Sequence, residues 1–262
     1  MSVSSGAKAL GKSALGVLLA VAVTSFNAQA AGYYPTDFPA VDSATMLDEG
    51  KCLANGAVAD GDATLLKLDA SCGAGPVELG LAAAYEQSLN SRSDIPSETG
   101  LEAKAKWAYA FDDEVGLGAS YTMGFDAGKL PPEYVVSRVN GLFTWSPAWG
   151  VPHEYTVHLN LGDDFLSGSD APGGDKSYVR WGAAFAWTPD PNILPDAMTN
   201  IGGWSFLIER FQEFDADFLR LGLRIAFSDY GSFELSREQG LSGNGEGARW
   251  IFGVTVPLQI NF

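Results

Sequence analysis

The strongest constraint on this chain is an alternation that runs to its last residue. From Gly247 to Phe262, the residues Trp250, Phe252, Val254, Val256, Leu258, Ile260 and Phe262 are all apolar. Arg249, Ile251, Gly253, Thr255, Pro257, Gln259 and Asn261 stand between them. Successive side chains of a strand point to opposite faces, so one face is apolar and the other mostly polar or small. The same texture recurs upstream and predicts strands near 77–87, 101–111, 114–124, 134–145, 153–162, 178–188, 203–211, 217–228 and 231–237, closed by 248–262. Each has about the 9–11 residues that a tilted membrane-crossing strand needs, and the even count suits a closed barrel. The expected fold is all-β: a ten-stranded antiparallel transmembrane barrel over 76–262, with twelve strands also possible. A mean hydropathy of +0.02 argues against apolar helical spans. It does not argue against a barrel, whose two faces average out.

Charge decides which face is which. Leu101, Ala103, Ala105, Trp107, Tyr109 and Phe111 alternate with Glu102, Lys104, Lys106, Ala108 and Ala110. A lysine facing lipid near the midplane costs about 2–4 kcal/mol, so the charged face must point inward. The same parity sends Tyr155, Val157, Leu159 and Leu161 outward and Glu154, Thr156, His158 and Asn160 inward. It places Leu219, Leu221, Leu223, Ile225 and Phe227 opposite Arg220 and Arg224. The candidate lumen-lining residues are Glu102, Lys104, Lys106, Arg138, Glu154, His158, Arg180, Glu209, Arg220, Arg224, Glu234 and Arg249, with base in excess over acid. They fit either a narrow, anion-favouring passage or a lumen filled by ion pairs. Arg237 breaks the rule, sharing parity with Phe233 and Leu235, and is expected at the headgroup level.

The N-terminus reads as a secretory signal over residues 1–30. Lys8 and Lys12 precede the short apolar run Ala14 to Val23, and Ala28-Gln-Ala30 is a small-residue cleavage site. The formal net charge of −16 becomes two units more negative once those lysines leave. So acidic a chain lacks the basic footprint that nucleic acid requires, and no nucleic-acid partner is expected. Cys52 and Cys72 are the only cysteines, and in an exported chain they read as one disulfide, with two free thiols as the alternative. Residues 31–75 are expected to form a small disulfide-stapled periplasmic segment ahead of the barrel. Ser43 and Asp62 are candidate caps of short helices, although Leu65, Leu66 and Leu68 also permit a strand.

These features together resemble a Gram-negative outer-membrane β-barrel protein. The residues carrying the resemblance are the signal peptide, the alternating strands and the terminal Gln259-Ile-Asn-Phe262. The resemblance implies the outer membrane as location, with its lipid and lipopolysaccharide as surroundings. It also implies that Phe262 is read by the outer-membrane assembly machinery. Over a few residues, Val157-His-Leu-Asn-Leu-Gly162 and the closing strands are similar to transporter barrels of phenol-degradation operons. With a periplasmic C-terminus, the long loops fall outside, while Trp145, Trp187 and Trp204 lie at the periplasmic strand ends. Trp149 falls in a turn there, and Trp181 and Trp250 lie nearer the outer ends, as two aromatic belts require.

No catalytic group, cofactor or metal site is expected. A lipid hydrolase needs an outward Ser-His pair, but His158 points inward and His153 lies in a turn. Asp163, Asp164, Asp170 and Asp175 lack the ligand order of a calcium loop and read as a solvated external loop. The functions compatible with the sequence are a narrow pore or facilitator for small solutes, or a structural or surface-interaction barrel with a filled lumen. A membrane enzyme is disfavoured.

Overall fold

The computed structural model describes residues 41–259, apart from residue 62, segments 89–97, 127–134, 148–153, 169–174, 190–202, 214–215 and 228–230, and 243–246. The expected leader, His153, Trp149, Asp170 and the terminal Phe262 fall outside the described residues. Twelve antiparallel strands form a closed barrel. They are β1 Lys51–Asp60, β2 Ala63–Ala74, β3 Val77–Ser88, β4 Glu98–Ala110, β5 Val115–Asp126 and β6 Val135–Trp145. The second half comprises β7 Glu154–Ser167, β8 Lys176–Thr188, β9 Gly203–Glu213, β10 Ala216–Ala226, β11 Ser232–Ser242 and β12 Ala248–Gln259. Each strand pairs with its sequence neighbours, and β1 closes the ring on β12, from Lys51 opposite Gln259 to Asp60 opposite Trp250. The end of the barrel that holds Lys51 and Gln259 is called the lower end here.

All ten strands read from the sequence are present, and two more precede them. Residues 51–74 are wall, not a separate stapled segment, so the barrel begins at Lys51 and not at residue 76. The helices expected after Ser43 and Asp62 do not form; an extended segment and strands stand in their place. The physical reason lies in β1, Lys-Cys-Leu-Ala-Asn-Gly-Ala-Val-Ala-Asp, which carries small residues on both faces and so hides its period. In β2, Leu66, Leu68 and Ala70 do alternate with Lys67, Asp69 and Ser71, but Leu65 masks the start. Cys52 and Cys72 are register partners on these two strands and are disulfide-bonded, with no free cysteine in the chain. Strands β7 and β11 also run further than expected, to Ser167 and Ser242, which moves Asp163 and Asp164 from a loop into the wall.

The burial pattern is inverted relative to a soluble protein. Leu81, Leu161, Val179 and Leu221 are exposed on the outer surface, at 71, 67, 59 and 52%. Lys106, Glu78, His158, Glu209 and Asp164 are almost wholly buried inside. Only a lipid solvent outside makes this arrangement favourable, because the apolar face then meets hydrocarbon and the charges escape it. Around the lower end, Trp187, Trp204 and Phe206 pack ring to ring, and Tyr155 lies on Phe185. Toward the upper end, Trp181 and Trp250 each carry an arginine, Arg210 and Arg237. Arg237 thus sits at the aromatic belt, as its parity required.

The disulfide joins two strands that hydrogen bonding already pairs, so its main effect is on the unfolded chain. Cross-linking residues 20 apart is worth about 3 kcal/mol in the chain-entropy model. Replacing both cysteines by serine should leave the barrel folded and lower its stability by about 2–3 kcal/mol, read from urea unfolding in detergent micelles. An unchanged midpoint would assign the staple no thermodynamic role.

Candidate functional site: a strapped lumen

Parity and register place all the sequence-predicted lumen residues on the inner face. Each opposes another inward residue: Lys104 opposes Gly80 and Thr122, Lys106 opposes Glu78 and Ser120, and Arg138 opposes Thr122 and Asp164. His158 opposes Thr144 and Ala184, Arg180 opposes Gly162, and Glu154 opposes Thr188 at the lower mouth. Arg220 lies between Glu209 and Glu238, Arg224 opposes Glu234, and Arg249 opposes Glu238.

The inner face also holds acids that sequence reading left out. Asp69 belongs to the missed part of the wall, Glu78 stands in the expected strand 77–87 but outside the expected lumen set, and Asp164 and Glu238 lie where strands outran their expected ends. Asp42 precedes the barrel altogether. Together they remove the excess of base on which an anion-favouring lumen rested. The charges form nearest-neighbour networks. One runs Lys67–Glu102–Arg138–Asp164–Arg180, with N–O separations of 3.4–3.5 Å. A second joins Glu209, Arg220, Glu238 and Arg249: Arg220 donates to Glu209 at 2.8 Å and to Glu238, and Arg249 pairs with Glu238 at 2.6 Å. Lys106–Glu78 at 3.1 Å and Arg224–Glu234 at 2.9 Å complete the set. All these pairs join strands that are adjacent or one apart, so they lie along the wall.

What crosses the barrel axis is residues 41–50, a strap that enters the lumen from the lower end just before β1. Its backbone is held by wall side chains at successive points. The Leu47 amide donates to Glu78 Oε2 on β3 (3.2 Å), the Ala44 amide to Thr144 Oγ1 on β6 (2.7 Å), and the Val41 amide to Glu209 Oε1 on β9 (3.3 Å). In a ring of twelve strands β3 and β9 stand opposite each other, so the strap spans the diameter. With its amide oriented to suit its neighbours, Asn160 accepts from the Asp42 amide (2.6 Å) and donates to the Asp42 carbonyl (2.9 Å). The Asp42 carboxylate takes Lys104 Nζ at 2.5 Å and the Ser120 hydroxyl at 3.2 Å. Buried backbone polar groups need such partners, each unmet one costing about 1–3 kcal/mol. His158 belongs to this scaffold: its Nδ1 lies 2.8 Å from the Thr144 hydroxyl that receives Ala44.

The wall is also cut to fit the strap. A Cβ at Gly73 would lie 2.3 Å from the Leu47 carbonyl oxygen, one at Gly116 2.7 Å from that of Ala44, and one at Gly182 2.8 Å from Val41 Cγ2. Three lumen-facing glycines, on β2, β5 and β8, thus make room at three points of its course. Val41 itself is fully buried in an apolar pocket of Ala184, Ala186, Leu207 and Phe211, with Phe218 against it. These apolar residues sit on the inner face, where polar ones are expected, because the strap supplies their partner.

Above the strap the lumen is open. A cavity of about 180 Å³ has Asp42 among its lining residues. Gly80, Ala82, Ala57 and Gly253 leave room in it, and Lys67, Glu102, Lys104 and Arg138 are among the charged residues that line it. Two additional strands widen the ring, since barrel diameter grows with strand number. That width accommodates both strap and cavity.

No family model and no curated protein matches this chain. Among solved structures it is similar to the KdgM porin (TM-score 0.52, 10% identity, 78% of this chain and 98% of that one). It is similar too to the β-domain of the Bordetella autotransporter Brka (0.51, 12%, 81% and 98%) and to the NanC porin (0.50, 10%, 80% and 100%). At these identities the likeness is one of fold, that of outer-membrane β-barrels. The same fold carries both porins and an autotransporter domain, so function has to be argued from the lumen.

Two outcomes check this geometry. Gly182→Leu should expel Val41 from its pocket. Hydrogen exchange at the Val41, Asp42 and Ala44 amides should then be at least about tenfold faster in the folded barrel, while the strand amides stay slow. Lys106→Met leaves Glu78 as an uncompensated buried charge and should cost about 3–5 kcal/mol in the same unfolding measurement.

Proposed function

We propose that this barrel is a narrow passage for small polar solutes across the outer membrane, held shut by its own strap. In this reading the lower end faces the periplasm, the cavity opens outward, and the strap closes the inner half. The single observation that carries it is that the wall charges pair along the wall, apart from Lys104 with Asp42, while the axis is blocked by residues 41–47. A segment held by hydrogen bonds, the Asp42–Lys104 ion pair and one valine pocket is displaceable in a way that paired wall side chains are not. Acid and base are near balance around the cavity, so the passage favours small polar or dipolar solutes, with no preference for anions. Delivery to the outer membrane would follow from assembly on the terminal strand that ends Gln259-Ile-Asn-Phe262.

A second reading is a structural or surface-interaction barrel whose strap never leaves. The glycines cut for the strap and the side chains that bind its backbone favour it. An enzyme is the poorest fit, because His158 is 1% exposed, faces inward and is engaged by Thr144.

Planar-bilayer conductance separates the first two. Full-length protein should be silent or flicker rarely. Protein lacking residues 31–47 should give discrete conducting steps. Absence of conductance in the truncated, correctly folded barrel would overturn the passage and leave the structural reading.

A further inference from the structure

The outer face is apolar along most of β8 to β12, and near the upper end it carries two cations. Arg210 on β9 and Arg237 on β11 both point outward. Each lies over a tryptophan ring, Arg210 5.5 Å from the centroid of Trp181 and Arg237 5.6 Å from that of Trp250. Arg210 opposes Leu219 on β10 and Arg237 opposes Leu221, so the two arginines flank the same strand. Two strand spacings and an offset of two residues along the strand set their backbones about 12 Å apart. The next outward residues toward the lower end are Ile208, Leu223, Leu235 and Phe252, all apolar. The arginines therefore mark the level at which hydrocarbon gives way to headgroups.

Both arginines remain exposed. Among the described residues, the carboxylate near Arg210 is that of Asp217, at a loose 3.9 Å, and the Arg210 side chain stays 56% exposed. Arg237 is exposed as well. A guanidinium resting one face on an indole keeps its edge donors for a second partner, and their fork matches phosphate oxygens. Such outward arginines would weaken a wall that met only acyl chains, but next to lipid phosphates they are favourable.

We infer that Arg210 and Arg237, with Trp181 and Trp250, form a binding site for the phosphate-bearing headgroup of an outer-leaflet lipid, whose acyl chains lie on Leu221 and Leu223. The placement in the outer leaflet rests on the sidedness proposed above; the binding itself does not.

The experiment uses full-length protein in nanodiscs and native mass spectrometry, with lipid A and phosphatidylcholine as the competing probes. Wild-type protein should retain lipid A at least about tenfold over phosphatidylcholine. Arg210→Gln with Arg237→Gln should lose that preference, Arg210→Lys with Arg237→Lys should keep part of it, and Lys51→Gln at the lower end should keep all of it. Should the glutamine pair fail to insert, the wild type gives an independent reading: retention should fall steeply between 0.15 M and 1 M salt, where the screening length drops from about 8 to about 3 Å. Equal retention of the two lipids, or a preference indifferent to salt and to the arginines, overturns the site. Sidedness is read separately, by impermeant maleimide labelling of Lys176→Cys on intact cells. Its failure would move the site to the other leaflet and leave the binding result intact.

Discussion

The pairing of β1 with β12 is the interaction on which the rest depends. In hydrocarbon an unpaired backbone amide or carbonyl costs several kcal/mol, so a strand edge cannot be left open to lipid. Ten register pairs, Lys51–Gln259 through Asp60–Trp250, remove the last edge. Once the ring is closed, the outside must be apolar where it meets hydrocarbon, and the charges at that depth must be settled within. The neighbour-to-neighbour ion pairs of the inner face follow from that confinement, since each charge finds its partner on a strand close by.

Closure with twelve strands creates a second problem, because the ring is wider than its own side chains fill. The chain solves it at the lower half with its own backbone. A strap of ordinary peptide would bring unsatisfied amides into the lumen. Here Glu78, Thr144, Asn160 and Glu209 accept them, and Gly73, Gly116 and Gly182 stand aside for it. The lumen residues therefore serve two roles. Those on β2, β4 and β6 face a cavity, and those on β3, β6, β7 and β9 hold the strap. The ion pairs of the wall run from strand to strand and do not pass through the strap, apart from that of Lys104 with Asp42. That separation of wall from plug is what makes a gated passage physically reasonable.

Much of this architecture is legible in the amino-acid sequence. Where charge and apolar residues alternate cleanly, as in Leu101–Ala110 or Leu219–Ala226, the parity of a single lysine or arginine sets the facing of the whole strand. The inward placement of residues from Lys104 to Arg249 follows. β1 escapes because alanine and glycine occupy both of its faces and carry no periodic signal. Asp164 and Glu238 escape because strand ends are poorly marked, and a shift of a few residues turns buried wall acids into loop acids. The error has a consequence: without those acids and Asp42, the lumen looks basic.

The sequence by itself determined that a barrel forms, which residues face lipid, and which face the lumen, because side-chain parity is a local property and the cost of charge in lipid is large. It also carried the pairing of Cys52 with Cys72, there being no other cysteine. Only the tertiary structure decided that twelve strands close the ring, that residues 41–50 cross it, and that acids and bases balance around the remaining cavity. Those outcomes depend on contacts between residues far apart in sequence, such as Val41 with Glu209 or Asp42 with Lys104. No local period records which distant wall a strap will meet.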